Sequence, residues 1–270
     1  MLANSEIAII IVTYNPDWKI IKKNINELGG DCDIYISDNG SKNLNNKIKS
    51  KNVSVLENKY NLGIAEAQNI AIKQIKEKSK SEYIFFLDQD SFITLANLKL
   101  LLRDLKRIQK KNLVGCLAAN PGYLKNKITQ KRELISSGML IPVDSIKKIG
   151  LIKSNLFIDM VDYEWCWRAT QKGFTLFEDE RVTFKHQIGA EKKVLNKQVI
   201  APFRLYYVFR NTLYLVNTVE YKSLKKEWMV RLYKQFIFNT LFCSEKKKRI
   251  SFIYRGIKDA KRKKLGKLSL

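Results

Sequence analysis

Hydrophobic positions along the chain fall into two rhythms that succeed one another. Residues 7–12 (IAIIIV) form an unbroken β-branched run, the pattern of a central parallel strand covered on both faces. Pro16 stops it, and residues 18–28 predict a helix closed by Gly29 and Gly30. Residues 33–37 and 53–56 predict two further strands, a helix runs from about 64 to 78, and the aromatic run 83–87 predicts a fourth strand. The order β-α-β-β-α-β predicts an α/β fold with a largely parallel central sheet, helices on both faces and right-handed crossovers.

Beyond it, a helix is expected near 94–110, strands at 113–119 and 139–142, and a loop or hairpin through Pro121-Gly122. Residues 157–168 (FIDMVDYEWCWR) then lead into a helix closed by Gly173, with Asp162 in its first turn, where the helix dipole favours a carboxylate. Short strands are expected at 174–177 and 181–185, the latter ending at His186. From about 191 the character changes. Residues 203–219 and 228–242 are aromatic helical stretches with Arg204, Arg210, Arg231 and Lys234 on one side, and clusters at 246–249 and 261–264 follow. The expected division is an α/β domain over 1–190 and a helical, basic extension over 191–270.

Three predicted strands end in polar tips: Thr13-Tyr14-Asn15, Asp38-Asn39 and Asp88-Gln89-Asp90. Open α/β sheets bind ligands beyond the carboxyl ends of their strands, so these tips share one functional edge. Carboxylates are hard oxygen ligands suited to Mg²⁺ or Mn²⁺, and an ion so held also grips a substrate diphosphate. A helix cap at Asp90 or Ser91 accounts for the same letters, and Asp38-Asn39-Gly40 is also strong turn chemistry. Neither GxGxxG nor GxxxxGK[ST] follows the first strand, which disfavours a dinucleotide- or P-loop enzyme.

Composition changes the picture in one respect. Fifty Lys and Arg against 26 Asp and Glu give a formal charge of +24, which calls for a polyanionic partner. No recognised nucleic-acid module is present, and the tail instead suits an anionic membrane surface. No secretory leader or membrane-spanning run is read, and Cys32, Cys116, Cys166 and Cys243 have no metal-like spacing.

In order along the chain stand VTYN (12–15), SDNGS (37–41), NLGIAEAQN (61–69), DQDS (88–91), SSG (136–138), FIDMVDYEWCWR (157–168) and HQIG (186–189). Together they resemble family 2 nucleotide-sugar glycosyltransferases of the GT-A fold, particularly the bacterial rhamnosyltransferase branch, over roughly residues 7–215. The resemblance implies that Thr13, Tyr14, Asn15, Asp38, Asn39, Asn61, Gly63 and Gln68 serve the nucleotide donor. It implies that Asp88 lies near the ribose or sugar, and that Asp90 with His186 holds a divalent ion, Mg²⁺ or Mn²⁺. Asp162 inherits the role of base, and Glu164, Trp167, Arg168 and Arg210 bind the acceptor or brace the site.

The implied reaction is direct displacement with inversion. Breaking a sugar–phosphate bond needs charge stabilisation on the leaving diphosphate, and the attacking hydroxyl needs a general base. The leading donor is dTDP-L-rhamnose, with a UDP-hexose as the alternative; the rival of a different class is a non-catalytic membrane- or nucleic-acid-binding protein. The acceptor is expected to be a polyprenyl-diphosphate-linked surface glycan, which places the chain in the cytoplasm, peripheral on the inner face of the bacterial plasma membrane.

Overall fold

The computed structural model describes residues 5–44, 48, 50–122, 125–186 and 193–269. The chain forms two compact units, Met1–Ile152 with Trp165–Gln187, and Lys153–Glu164 with Ile188–Leu270. The segment 153–164, which carries Asp162, thus groups with the tail. The boundary expected at 190/191 lies outside the described residues.

The first unit is built on an eight-stranded sheet. Its strands are β1 (Ile7–Thr13), β2 (Asp33–Asp38), β3 (Val53–Glu57), β4 (Tyr83–Asp88), β6 (Val114–Asn120), β7 (Ile128–Lys131), β8 (Met139–Pro142) and β9 (Thr175–Thr183). They lie in the order β3-β2-β1-β4-β8-β6-β9-β7. Only β8 and β7 run against the rest, as the antiparallel β4–β8, β6–β8 and β7–β9 pairings show. A separate two-residue ribbon pairs β5 (Ser91–Phe92) with β10 (Lys185–His186).

The β-branched run of β1 is explained by burial on both faces. Ile7, Ile9 and Ile11 join one core with Ile21 and Leu28 of α1 (Trp18–Leu28) and Leu98, Leu101 and Leu105 of α3 (Leu95–Gln109). Ala8 and Ile10 point the other way. They join a core with Ala71, Ile72 and Ile75 of α2 (Ile64–Lys78), Ile146 and Ile149 of α4 (Val143–Ile149), and Trp165 and Ala169 of α5 (Val161–Gln171). Removing one such isoleucine's side chain would cost about 2–5 kcal/mol.

The second unit is mostly helical. It holds α6 (Pro202–Val216), α7 (Lys225–Ile237), a π turn at Phe238–Phe242, α8 (Lys246–Lys261), and a small hairpin of β11 (Lys193–Val194) and β12 (Lys197–Gln198). Pro202 opens α6 at its first position, where its missing N–H is not needed. Leu205, Phe209, Leu232 and Ile253 bring α6, α7 and α8 into one core. Gly256 makes the α6–α8 approach possible, since a Cβ there would meet the Tyr206 carbonyl oxygen at 2.5 Å.

Several expectations are corrected. The strands expected at 174–177 and 181–185 are one strand, β9, followed by β10. The stretch 228–242 is α7 followed by a π turn. The two basic clusters near the C-terminus bracket α8, whose buried Ile253, Gly256 and Ala260 were hidden among charged residues. Arg210, grouped in the sequence with the basic side of a helical stretch, is 0% exposed.

Candidate active site

Parallel register sets the site's edge. Thr13 pairs with Asp38 across β1 and β2, and Val12 pairs with Asp88 across β1 and β4. The three polar tips of the sequence therefore emerge side by side. All belong to the first unit.

Asp38 is buried, and its carboxylate organises the loops around it. Oδ1 accepts from the hydroxyls of Thr13 (2.8 Å) and Ser41 (2.5 Å), and Oδ2 accepts from the Ser41 backbone N–H at 2.8 Å. Asn15 adopts a left-handed backbone, φ 48°, which its short amide side chain tolerates. Its N–H donates to Ser41 Oγ at 2.7 Å, and its Oδ1 accepts from the Lys42 N–H at 2.9 Å. Tyr14 is left 48% exposed at the edge.

A second set of bonds ties the 61–69 motif to β2. Asn39 Nδ2 donates to Asn61 Oδ1 at 3.1 Å, Leu62 N–H donates to Asn39 Oδ1 at 2.8 Å, and Gly63 N–H donates to Asn61 Oδ1 at 2.9 Å. Gln68, on α2, donates to Ser136 Oγ at 3.4 Å.

Asp88 and Asp90 are half-buried at the end of β4. The residue between them was passed over in the sequence. Gln89 Oε1 accepts from the Tyr14 N–H at 2.7 Å, and its Nε2 donates to the Tyr14 carbonyl at 3.4 Å, so it clamps the acidic turn to the tip of β1. Ser137 holds the turn from the other side, accepting from the Asp88 N–H at 3.0 Å. Gly138 places that serine: its φ is +91°, and a Cβ there would meet the Phe184 ring at 2.7 Å. Both carry a sequence signal, since Gln89 sits inside the acidic motif and Ser137 inside SSG.

His186 pairs with Ser91 across the β5–β10 ribbon, which puts its backbone one register step from Asp90. Among the described residues no group of three or more His, Cys, Asp and Glu gathers as a metal site. The donor set still fits a hard divalent ion. Mg²⁺ is ordinarily held by one or two carboxylates, with substrate phosphate and water completing its shell. Asp90, with Asp88 two residues before it, would supply such a carboxylate. The rest of HQIG lies outside the described residues.

Asp162 belongs to the second unit, in the first turn of α5. The backbone leading to it is unusual: Phe157, Asp159 and Met160 have φ of 69°, 60° and 67°. Such conformations cost non-glycine residues of order 1–3 kcal/mol each and persist only where their surroundings enforce them. Asn211 Nδ2 donates to the carbonyls of Leu156 (3.0 Å), Ile158 (2.9 Å) and Asp159 (2.9 Å). Arg210 donates to Leu156 O at 2.9 Å and Gly266 O at 2.6 Å, packed against the rings of Tyr206 and Tyr207. Arg204 grips the Asp159 carboxylate at 2.6 Å.

The remaining candidates make structural contacts. Glu164 is buried and accepts from Tyr221 Oη at 2.8 Å, with Lys153 Nζ 4.0 Å away. Trp167 Nε1 donates to Glu133 Oε1 at 3.1 Å. Arg168 donates to the carbonyls of Ile149 and Leu151, each at 2.8 Å. Arg210, fully buried and bonded to carbonyls, braces the backbone before α5.

The sequence profile described as "Glycosyl transferase family 2" matches residues 8–170. The chain is a family 2 glycosyltransferase. Among curated proteins it is similar to the "dTDP-rhamnosyl transferase RfbF" of Shigella flexneri, 30% identical over 94% of each chain. Among solved structures this glycosyltransferase resembles S. aureus TarS 1–349, at 15% identity and a TM-score of 0.59 over 94% of this chain and 80% of that one. It also resembles GalNAc-T7 crystallised with UDP, GalNAc and Mn²⁺, at 13% identity and a TM-score of 0.61 over 96% of this chain and 56% of that one. Both likenesses establish the GT-A type of fold. Among the described residues, no helix of the glycosyltransferase is long and apolar enough to cross a membrane.

Proposed function

We propose that this glycosyltransferase moves L-rhamnose from dTDP-L-rhamnose to a hydroxyl of a polyprenyl-diphosphate-linked glycan, with inversion at the anomeric carbon. The observation that carries the donor is the near full-length similarity to a curated dTDP-rhamnosyl transferase. The β1, β2 and β4 tips receive the nucleotide: Tyr14 and Asn15 cover it, and Asp38 fixes the loop that does so. Asp88 and Asp90 would hold a divalent ion with His186, and that ion supplies Lewis-acid stabilisation of the departing diphosphate. Asp162 accepts the proton of the acceptor hydroxyl as its oxygen bonds to the anomeric carbon. The bond from that carbon to the β-phosphate oxygen breaks, and dTDP leaves with the electron pair.

The acceptor's lipid anchor agrees with the surface of the second unit. On α7, Met229, Val230, Tyr233 and Phe236 are 39–65% exposed, beside a chain carrying +24. An amphipathic helix rich in aromatic residues and flanked by lysines suits the interface of an anionic leaflet, at about 1 kcal/mol per basic residue. That surface supports the reading of a peripheral enzyme on the inner face of the plasma membrane.

The test is release of nucleoside diphosphate from a panel of nucleotide sugars, with and without Mn²⁺. Metal-dependent dTDP release from dTDP-rhamnose is expected. UDP release from a UDP-hexose, with none from dTDP-rhamnose, would replace the donor and leave the rest intact. Flotation with anionic but not neutral liposomes is expected for the membrane reading.

A further inference from the structure

A pocket of about 460 Å³ opens in the second unit beside the β11–β12 hairpin, α7 and the segment that leads into α5. That volume lies within the range of about 300–1,000 Å³ usual for small-molecule sites. Its lining is partly aromatic and apolar: Met160, Trp228 and Phe238 contribute, and Tyr163 packs on Trp228 at 5.6 Å between ring centroids. Three cations, Lys197, Arg231 and Lys234, stand around that lining.

The charges do not cancel. Asp159, the one carboxylate of the lining, is held by Arg204 at 2.6 Å, and Arg231 is matched by Glu227 at 2.5 Å while it stacks on Trp228. Lys197 lies over the Phe238 ring at 5.6 Å. Among the ion pairs of the described residues, none includes Lys197 or Lys234. The pocket therefore offers two surplus positive charges above an apolar lining.

That pairing selects for an amphipathic anion. A bare diphosphate gains nothing from Met160, Trp228 and Phe238, and an uncharged alcohol gains nothing from the lysines. The position is equally specific. Asp159, Met160 and Tyr163 bracket Asp162 in sequence, so a ligand here lies beside the turn that bears the proposed base. We infer that this pocket is the subsite for the isoprenoid diphosphate of the acceptor, with Lys197 and Lys234 on the diphosphate and the aromatic lining on the first isoprene units. The inference rests on the reading of the acceptor as lipid-linked, and adds where its diphosphate end is held.

Farnesyl diphosphate serves as the probe, titrated calorimetrically into the full chain. Lys197→Glu/Lys234→Glu is compared with Lys246→Glu/Lys247→Glu, which changes net charge equally on α8. The wild type and the α8 variant are expected to bind alike, and the pocket variant at least tenfold more weakly. Farnesol and inorganic pyrophosphate are each expected to bind the wild type at least tenfold more weakly than farnesyl diphosphate. Should charge reversal lower the melting temperature, Lys234→Gln alone is read instead, with a several-fold loss expected. Equal binding by the pocket variant, or displacement of the probe by dTDP, would overturn the assignment. Nucleotide release by the wild-type protein is measured separately, so failure of the transferase reading is told apart from failure of the pocket.

Discussion

Arg210 Nη2 donates to the carbonyl of Leu156 at 2.9 Å, and Asn211 Nδ2 donates to the same oxygen at 3.0 Å. Two adjacent side chains of α6 thus pin the start of the segment that ends at Asp162. Asn211→Ala strips a donor from three carbonyls, each in a left-handed residue or in the peptide group that precedes one. A stability loss of about 1–3 kcal/mol is expected in urea unfolding, from the Ile158 and Asp159 carbonyls that lose the amide donor. Turnover should fall more than the donor KM changes, because the loop and not the nucleotide edge is loosened. Arg210→Lys should behave alike, since one ammonium cannot reproduce the planar donor fork.

Asp162→Asn keeps the size of the side chain and removes its basicity. Acceptor turnover should fall by about 10²–10⁴-fold, the usual contribution of a positioned general base. Nucleotide binding, followed by titration with dTDP, should be unchanged. Near-normal turnover in this variant would remove Asp162 from the mechanism.

Chelation tests the acidic turn. Incubation with EDTA should abolish nucleotide release, and Mn²⁺ should restore it. In Asp90→Asn the concentration of Mn²⁺ needed for half-maximal release should rise, while circular dichroism stays that of the wild type. A metal response identical to the wild type's would move the ion elsewhere.

Gln89→Ala severs the clamp between the acidic turn and the Tyr14 peptide. The expected signature is a raised donor KM with a smaller change in turnover, and a stability loss of about 1 kcal/mol, typical of a hydrogen bond. A steady-state comparison over a donor series reads both.

Asp33 gives a pH dependence unconnected with catalysis. Burial pushes its carboxyl above the ordinary value of 3.8, and the hydrogen bond from Ser79 Oγ, at 3.1 Å, only partly offsets it. Its other oxygen, Oδ1, has no hydrogen-bond partner among the described residues. The folded state therefore holds this proton to higher pH than the unfolded chain does. The resulting penalty is absent below the unfolded value and grows as pH rises through the folded one. Asp33→Asn should be more stable than wild type at pH 7, with the difference closing toward pH 3. Urea midpoints across that range would show it, and a pH-independent difference would contradict it.

The strands and helices from β1 to β4 were legible because each reports a local rule. The run 7–12 is β-branched throughout since both its faces are buried, and Trp18–Leu28 ends where its glycines begin. The tail was less legible. The pattern of α8 was masked by lysines, whose charge is local information while the burial of Ile253 and Ala260 against α6 and its neighbours is not.

Sequence alone determined the family, the order of elements from β1 to β4 and the acids at the strand tips, because motif spacing and hydrophobic period are properties of the chain itself. Only the tertiary structure decided what those residues touch. It turned Asp38 inward onto Thr13 and Ser41, and made Gln89 a clamp. It also took Arg210 out of solvent to hold a backbone that three left-handed residues would otherwise leave. Side-chain partners far apart in sequence are set by packing, and no local pattern encodes them.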